Sequence, residues 1–386
     1  MVRRIVIALL LAVVAQFPAR AARRVTVQQV DLLLEEYKGQ SDGKVAAQLA
    51  DMVLTERAPS ARLKSWEAKF PGRRCHEMLT ELVDASSFEE LPESDKLAQS
   101  APDAGAQRTI LTKTVDYLNQ ALSRLPNFFA TRRTEYYEDK PPAQPADHFE
   151  PGAGGRRSTA VPAMTQSTST AERMHIVDHA SVPVSYQDGY EMRGTKRLDP
   201  TVLDTPVKGL TTVGEFGPIL AVVFPDAVRG KIYWGYWEQG ASGALAVYRY
   251  KVPASESRYL VQFPHDKETV KVMPAYHGEI SIDPESGAIM RITIVPDFSP
   301  PYELVKEGMM VEYGPVALGG TNYICPLKGV ALAVMPMNDP TSDAYPAQTQ
   351  LNDVVFTDYH LLRSESRIVP AQDAPPETAP PGGPPQ

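Results

Sequence analysis

Histidine and acidic residues recur at strand spacing in the C-terminal half of the chain. His175 and His179 lie four residues apart, so a strand would place both imidazoles on one face and Asp178 on the other. A metal site needs three or four converging ligands, and the neighbouring sequence supplies no third one. Asp358 and His360 also share a strand face, without a nucleophile signature. We therefore expect solvated or hydrogen-bonded polar faces here, with no metal and no catalytic group.

Two glycine-rich stretches resemble catalytic or anion-binding motifs only in part. Residues 240–244 read GASGA, which lacks the second glycine of a nucleophile elbow, and they join two predicted strands where the elbow requires a strand followed by a helix. Residues 152–157 read GAGGRR, without the lysine and the helix of a phosphate-binding loop. The first stretch predicts a hairpin turn and the second a linker. We expect no enzyme activity and no cofactor.

An aromatic run, YWGYW at residues 233–237, is a better candidate for binding. Because a strand sends alternate side chains to opposite faces, this strand is aromatic on both. One face packs on the core, and the other must meet a helix, a second layer or a ligand.

The strands that follow have one apolar and one polar face. The apolar positions include Tyr248, Tyr250, Val252, Ile280, Ile282, Met290, Ile292 and Ile294. The opposite positions are Arg249, Lys251, Gln262, Glu279, Asp283, Arg291 and Thr293, which predicts a wet face with an exposed Arg291. An antiparallel meander of this kind must cover its apolar face.

A helix near residues 212–224 is the predicted cover. Thr212 and Glu215 can cap it, and its apolar stripe can pack on the sheet. Plain core packing is the ordinary explanation of such a stripe, and a ligand cavity beneath the helix is the alternative. The candidate ligand-binding residues are Trp234, Tyr236, Phe216, Ile219, Leu220 and Val223.

The N-terminus predicts export. Arg3 and Arg4 precede an apolar stretch, Ile5–Phe17, and Ala19–Ala21 fits a signal-peptidase site. The stretch is shorter than the ~20 residues of a membrane-spanning helix, although a single anchor is the alternative. We expect a mature chain from about Ala22, with no transmembrane helix, in the periplasm or outside the cell.

Apolar periodicity predicts an α+β protein. Spacings of three and four up to Leu125 indicate a small helical bundle, with Thr26 and Gln29 as a capping box. Alternating strands with short connections, such as the DPESG turn at 283–287, then indicate an antiparallel sheet. The predicted organisation is a signal peptide (1–21), a helical domain (22–126), a first strand (127–138), a flexible loop or linker (139–173), a β domain (174–369) and a disordered proline-rich tail (370–386).

Charge and cysteine content exclude some classes. The net charge is −8 and no long Lys/Arg run occurs, which argues against nucleic-acid binding. Cys75 and Cys325 are the two cysteines. An exported chain could join them in a disulfide, but they lie in regions of different character, which favours two separately buried thiols.

Several blocks carry a resemblance to known proteins. RVTVQQVDLLLEEYKGQSD, LPNFFATRRTEYYED, YHGEISIDPESGAIMRI, MVEYGPVALGG and LNDVVFTDYHLLRSESRI resemble an uncharacterised family of secreted bacterial proteins. The strands from about 128 to 368 are similar to the outer-membrane lipoprotein carrier type of fold. That likeness implies a curved antiparallel sheet, an incomplete barrel, with helices over its concave apolar face and a lipid-sized cavity between them.

Two functions follow as expectations. The first is a non-enzymatic envelope protein that binds a lipid or acyl chain under the sheet. The second is a structural or protein-interaction module of the envelope without a ligand cavity. A large cavity would favour the first, and a packed core would favour the second.

Overall fold

The computed structural model describes residues 23–139, 174–193, 196–197, 210, 214–265, 268–299, 306–336 and 347–362. The predicted signal peptide, the tail, Thr212 and nearly all of the predicted linker lie outside these residues. Within them the chain is an α+β protein with six α-helices and a large, open antiparallel sheet, which confirms the predicted class.

The helices are grouped before the sheet, with one exception inserted into it. They are α1 (Val27–Glu36), α2 (Asp42–Leu49), α3 (Ser60–Lys69), α4 (Arg73–Ala85), α5 (Ala104–Arg124) and α6 (Pro218–Arg229). A short 3-10 helix lies at Glu93–Asp95. The predicted capping box at α1 is present: Gln29 N donates to Thr26 Oγ1, and Thr26 N donates to Gln29 Oε1.

The strands are β1 (Arg23–Val25), β2 (Met52–Leu54), β3 (Phe128–Glu138), β4 (His175–Gln187), β5 (Tyr190–Arg193), β6 (Lys196–Arg197), β7 (Lys231–Gln239), β8 (Ala244–Val252), β9 (Val261–His265), β10 (Glu268–Val272), β11 (Ala275–Ile282), β12 (Ile289–Asp297), β13 (Lys306–Leu318), β14 (Thr321–Pro336) and β15 (Ala347–Leu361). Eleven of them form one sheet in the order β6-β5-β4-β3-β15-β14-β13-β12-β11-β8-β7. Most sheet neighbours are also neighbours in sequence, as expected of a meander with short connections.

Helices α1 to α4 share a hydrophobic core that is separate from the sheet. Val30, Leu34, Leu49, Trp66 and Leu79 are almost completely buried in it. The parallel pair β1 and β2 adds to the same cluster. The long helix α5 packs elsewhere, because its residues Ile110 and Leu118 belong to the core of the sheet.

Helices α5 and α6 lie on the apolar face of the sheet. Their buried residues join Tyr248, Tyr250, Ile280 and Ile292 in one cluster. A bulge between Ser281 and Ile282 changes one predicted assignment, since it brings Ile289 into this cluster and leaves Met290 only half-buried. Alternation alone does not foresee a bulge.

The opposite face of the sheet is covered in part, contrary to the expectation from sequence, although Lys251 is exposed as predicted. The segment after α4 packs on it, with Phe88 against β13 and Leu91 against Tyr236 and Val247. Arg291, predicted to be exposed, is 5% exposed and donates to the carbonyl oxygen of Ser87 at 2.9 Å. A polar strand face shows that hydrogen-bonding partners are needed, but these can be protein groups as well as water.

Helix α6 differs from its predicted position. It begins at Pro218 and ends at Arg229, so Phe216 precedes it and does not belong to its apolar stripe. Glu215 does not cap the helix: its carboxylate is fully buried and lies 3.2 Å from the guanidinium of Arg132. Proline in the first turn is typical of a helix start, because that position needs no backbone N–H.

Candidate functional site

The aromatic strand β7 contains a bulge that sorts its side chains. Trp234 pairs with Tyr248, but Tyr236 pairs with the next residue, Val247, so Gly235 has no partner of its own. Trp234 and Trp237 therefore both face α5 and α6, whereas Tyr236 faces the N-terminal helices. The structure thus separates Tyr236 from the other predicted binding residues.

Trp234, Trp237 and Tyr248 form an aromatic group at the edge of the apolar face. The Trp234 ring lies 5.0 Å from that of Trp237 and 5.6 Å from that of Tyr248, both in edge-to-face geometry. The indole of Trp237 donates to the carbonyl oxygen of Ser100 at 3.0 Å. The three rings contact one another and the indole N–H of Trp237 has a hydrogen-bond acceptor, as in an ordinary core.

The remaining predicted residues divide between two neighbouring clusters. Ile219, Leu220 and Val223 pack on the central strands. Phe216 lies among other rings, 5.5 Å from Phe128 and 4.9 Å from Phe356, where β3 and β15 meet. Helix α6 and the turn before it thus bury four of the six predicted residues over the apolar face.

A narrow apolar gap remains between α5, α6 and the sheet. Its free volume is about 20 Å³, which is close to that of one water molecule. The gap is lined by Tyr117, Leu118, Leu125, Phe128, Phe216, Leu220, Ile289, Tyr313, Ile324, Cys325 and Pro326. At this gap the described residues are closely packed and leave space for about one water molecule.

Asp226 anchors α6 to the sheet, and sequence reasoning missed it. Its fully buried carboxylate accepts from Arg258 N at 2.9 Å, from Arg258 Nε at 2.7 Å, and from the hydroxyl of Tyr276 at 2.9 Å. Arg229 completes the set of donors. An acidic residue in the middle of an apolar helix was the one available signal, because such a residue must find cations or donors when it is buried.

A second buried polar network joins the N-terminal helices to the sheet. The guanidinium of Arg57, 3% exposed, lies 2.9 Å from Glu238 and 3.3 Å from the hydroxyl of Tyr236. That hydroxyl donates to Glu279 at 2.8 Å, and Arg291 lies 3.4 Å from the same carboxylate. Burial alone would raise the pKa of Glu279, but Arg291 and Arg57 lower it overall, so it remains ionised.

A third polar group lies further along the same face. The ammonium of Lys328 is 2.6 Å from Asp84 of α4 and 3.2 Å from Asp353 of β15. Burial alone would lower the pKa of Lys328, but the two aspartates raise it overall. The contact is an ion pair across the interface, without a nucleophile or an open cleft that would indicate catalysis.

Each histidine of the predicted pair lies opposite a glutamate of β3. His175 pairs with Glu138 and His179 with Glu135 on β3, and a bulge lies between them. Among the described residues, no group of three or more His, Cys, Asp or Glu is arranged to hold a metal ion. Asp358 has a left-handed backbone (φ 52°) in a bulge of β15, which interrupts the predicted common face with His360.

The two cysteines are free and buried, and burial raises the pKa of both thiols to about 12. Thiols of this kind are poor nucleophiles near neutral pH. None of the helices in the described ranges is long and apolar enough to cross a membrane.

Comparisons with known proteins add no identification. Neither a scan against family models nor searches of curated proteins and of solved structures found a significant match to this chain.

Proposed function

We propose that this chain is an exported, non-enzymatic protein of the cell envelope that acts as a structural or protein-interaction module. The observation that supports it is the packed apolar face. The gap between α5, α6 and the sheet has a free volume of about 20 Å³, far below the ~300–1,000 Å³ of a typical ligand pocket. Part of the opposite face is also covered, by α4 and the segment after it.

Ligand content is the first test of this proposal. Protein purified from its native envelope should yield no stoichiometric acyl material in an organic extract analysed by mass spectrometry, and it should not bind an apolar dye. A lipid recovered at one molecule per chain would overturn the proposal.

The uncovered end of β3 and β15 is a suitable partner surface. Phe129 and Arg133 share a strand face, and Arg133 pairs with Val355 of β15. Phe129 is 42% exposed and Val355 36% exposed, beside the exposed guanidinium of Arg133. Exposed aromatic and apolar side chains next to an arginine are typical of protein interfaces.

Crosslinking in the native envelope tests this surface. Phe129→Asp should abolish a specific crosslinked species while the melting temperature stays nearly unchanged. Val228→Asp on α6 is the control, since Val228 is also an exposed apolar residue, 52% exposed, in a different element. A crosslink pattern that both variants leave intact would remove this surface from the proposal.

An apolar ligand is the second candidate, and the character of the gap favours it. The lining is apolar, and Gly214 before α6 has a positive φ of 98°, a backbone conformation that suits a hinge. Binding would require α6 to move outward, against the hydrogen bonds of Asp226. The apolar-ligand proposal includes a curved sheet that forms an incomplete barrel, an N-terminal helical bundle, and α6 as the cover of the sheet. The open sheet and the two separate hydrophobic cores support these features.

Leu220→Trp separates the two candidates. In a packed core the larger ring costs about 1–3 kcal/mol of stability and changes no binding. If a ligand occupies the gap, the same variant should lose ligand or dye while it remains folded. Denaturant unfolding measures the first effect, and dye titration measures the second.

A further inference from the structure

The N-terminal helices contact the sheet mostly through charged side chains. Phe88 and Leu91 supply apolar contacts, but polar pairs surround them. These pairs are Arg57–Glu238, Arg249–Glu90, Lys306–Glu89, Lys328–Asp84, Ser60–Glu312 and Arg291–Ser87. Because the helices have a hydrophobic core of their own, this interface can change without unfolding either part.

The charges at one point of this interface do not balance. The ammonium of Lys328 serves two carboxyl groups, those of Asp84 and Asp353, which are 1% and 7% exposed. Within the described part of the chain, Asp84 Oδ2 is buried and accepts no hydrogen bond. Two buried carboxylates beside one cation leave a net negative charge in a site that excludes water.

Other acidic groups increase this excess. Glu312 lies across from Lys328 on β13, and Glu135 lies across from Asp353 on β3. Lys328, Asp353 and Tyr137 lie close to Asp84, and Glu81 lies one turn earlier on its own helix. Glu312 acts on Lys328, and Glu135 acts on Tyr137. Lys328 is the one cation among them.

We propose that Asp84 and Asp353 share one proton, and that this proton controls how firmly the N-terminal helices dock on the sheet. With the proton, the site carries one carboxylate, one ammonium and a hydrogen bond between the two carboxyl groups. Without it, two adjacent negative charges remain in the dry interface. This control of docking by a proton does not require that the surface near Phe129 binds a partner.

The pKa of Asp84 agrees with this geometry. Burial raises it well above its ordinary value, and the neighbouring carboxylate of Asp353 raises it further, against the opposing effect of Lys328. A raised pKa means that the docked state holds the proton more tightly than the undocked state. Docking is therefore firm at acidic pH and weakens as the pH rises through the raised pKa of Asp84.

Hydrogen exchange on the full chain tests the proposal. We expect the protection factors of amides 86–97, corrected for intrinsic exchange, to fall by up to about tenfold per pH unit between the ordinary pKa of an aspartate and the raised pKa of Asp84, and to level off above it. Amides in the core of α1 to α4 should keep their protection. Glu81 adds a dependence of the same sign, since burial raises its pKa to about 8, so the profile is also measured in a Glu81→Gln background.

Two variants decide the outcome. In the Glu81→Gln background, Asp84→Asn removes the titrating proton and should make the protection of residues 86–97 independent of pH. Asp353→Asn leaves a single carboxylate beside Lys328 and should do the same, which keeps the test valid if one variant misfolds. Asp116→Asn, at an exposed position of α5, is the control and should retain the wild-type slope. A pH-independent wild type, or a slope that persists in both interface variants, would overturn the proposal.

Discussion

Single buried charges hold the helices of this protein on its sheet. Asp226 is the clearest case, because one carboxylate receives donors from α6 itself, from the loop after β8 and from β11. Arg57 and Arg291 play the corresponding part on the other face. Buried charges of this kind are stable only while every partner is present.

Asp226→Asn should therefore be strongly destabilising. The amide cannot accept from all of the same donors, and the guanidinium of Arg258 loses its counter-charge, at a cost of about 3 kcal/mol. Urea unfolding measures the loss. Asp116→Asn, an exposed carboxylate on the other covering helix, should change stability by less than about 0.5 kcal/mol.

Neighbouring residues of β12 give a second prediction. Ile292→Asp places an unpaired carboxylate in the fully buried apolar face and should cost about 4 kcal/mol or more. Arg291→Ala, on the opposite face, should cost about 3 kcal/mol because it leaves Glu279 buried with one cation fewer.

The control for Arg291 is Arg133→Ala, where the side chain is 61% exposed. This variant should change the unfolding free energy by less than about 0.5 kcal/mol. If Arg291→Ala proved equally mild, the polar face would be accessible to water, and the packing of the N-terminal helices on it would be wrong.

At the scale of elements, the two strands of the central hairpin approach each other closely at Gly278. A Cβ added at Gly278 of β11 would lie 2.0 Å from the carbonyl oxygen of Thr293 on β12. No rotamer relieves a clash with backbone, so the strands would have to separate. The hairpin that stands out in the sequence as DPESG thus serves as scaffold, and its turn docks on α5 through Lys113.

Gly278→Ala should accordingly lower stability by about 3 kcal/mol or more, as overpacking against backbone does. Gly329→Ala in β14 of the same sheet is the matched control, because its Cβ would meet Val354 at an ordinary 3.6 Å. Thermal unfolding of the two variants tests the pair. Similar melting temperatures would show that the close approach at Gly278 does not exist.

At the scale of the whole molecule, two groups of helices contact the sheet through different chemistry. The group of α5 and α6 is held by apolar contact and by Asp226, and the N-terminal group by ion pairs. High salt screens exposed charges more than buried ones, so the surface pair Arg249–Glu90 should weaken before Arg57–Glu238.

Export also belongs to this scale. Arg3, Arg4 and the site at Ala19–Ala21 predict cleavage after Ala21. N-terminal sequencing of protein from the envelope or the medium should read from Ala22. An intact Met1 on membrane-embedded material would contradict both the cleavage and the proposed location.

The sequence by itself determined the local structure and the class of fold. The capping box at Thr26, the apolar alternation around Ile292 and the short turn at 283–287 each depend on residues close together in the chain, so periodicity was enough to predict an α+β protein with an antiparallel meander.

Only the tertiary structure decided what covers each face and which side chains meet. The bulge at Gly235 moved Tyr236 away from Trp234, a shift that one unpaired residue causes and that alternation cannot foresee. The burial of Arg291 and the donors of Asp226 depend on segments far away in sequence. Local patterns state that a polar group needs a partner, and only the folded chain determines whether that partner is water, a ligand or another part of the protein.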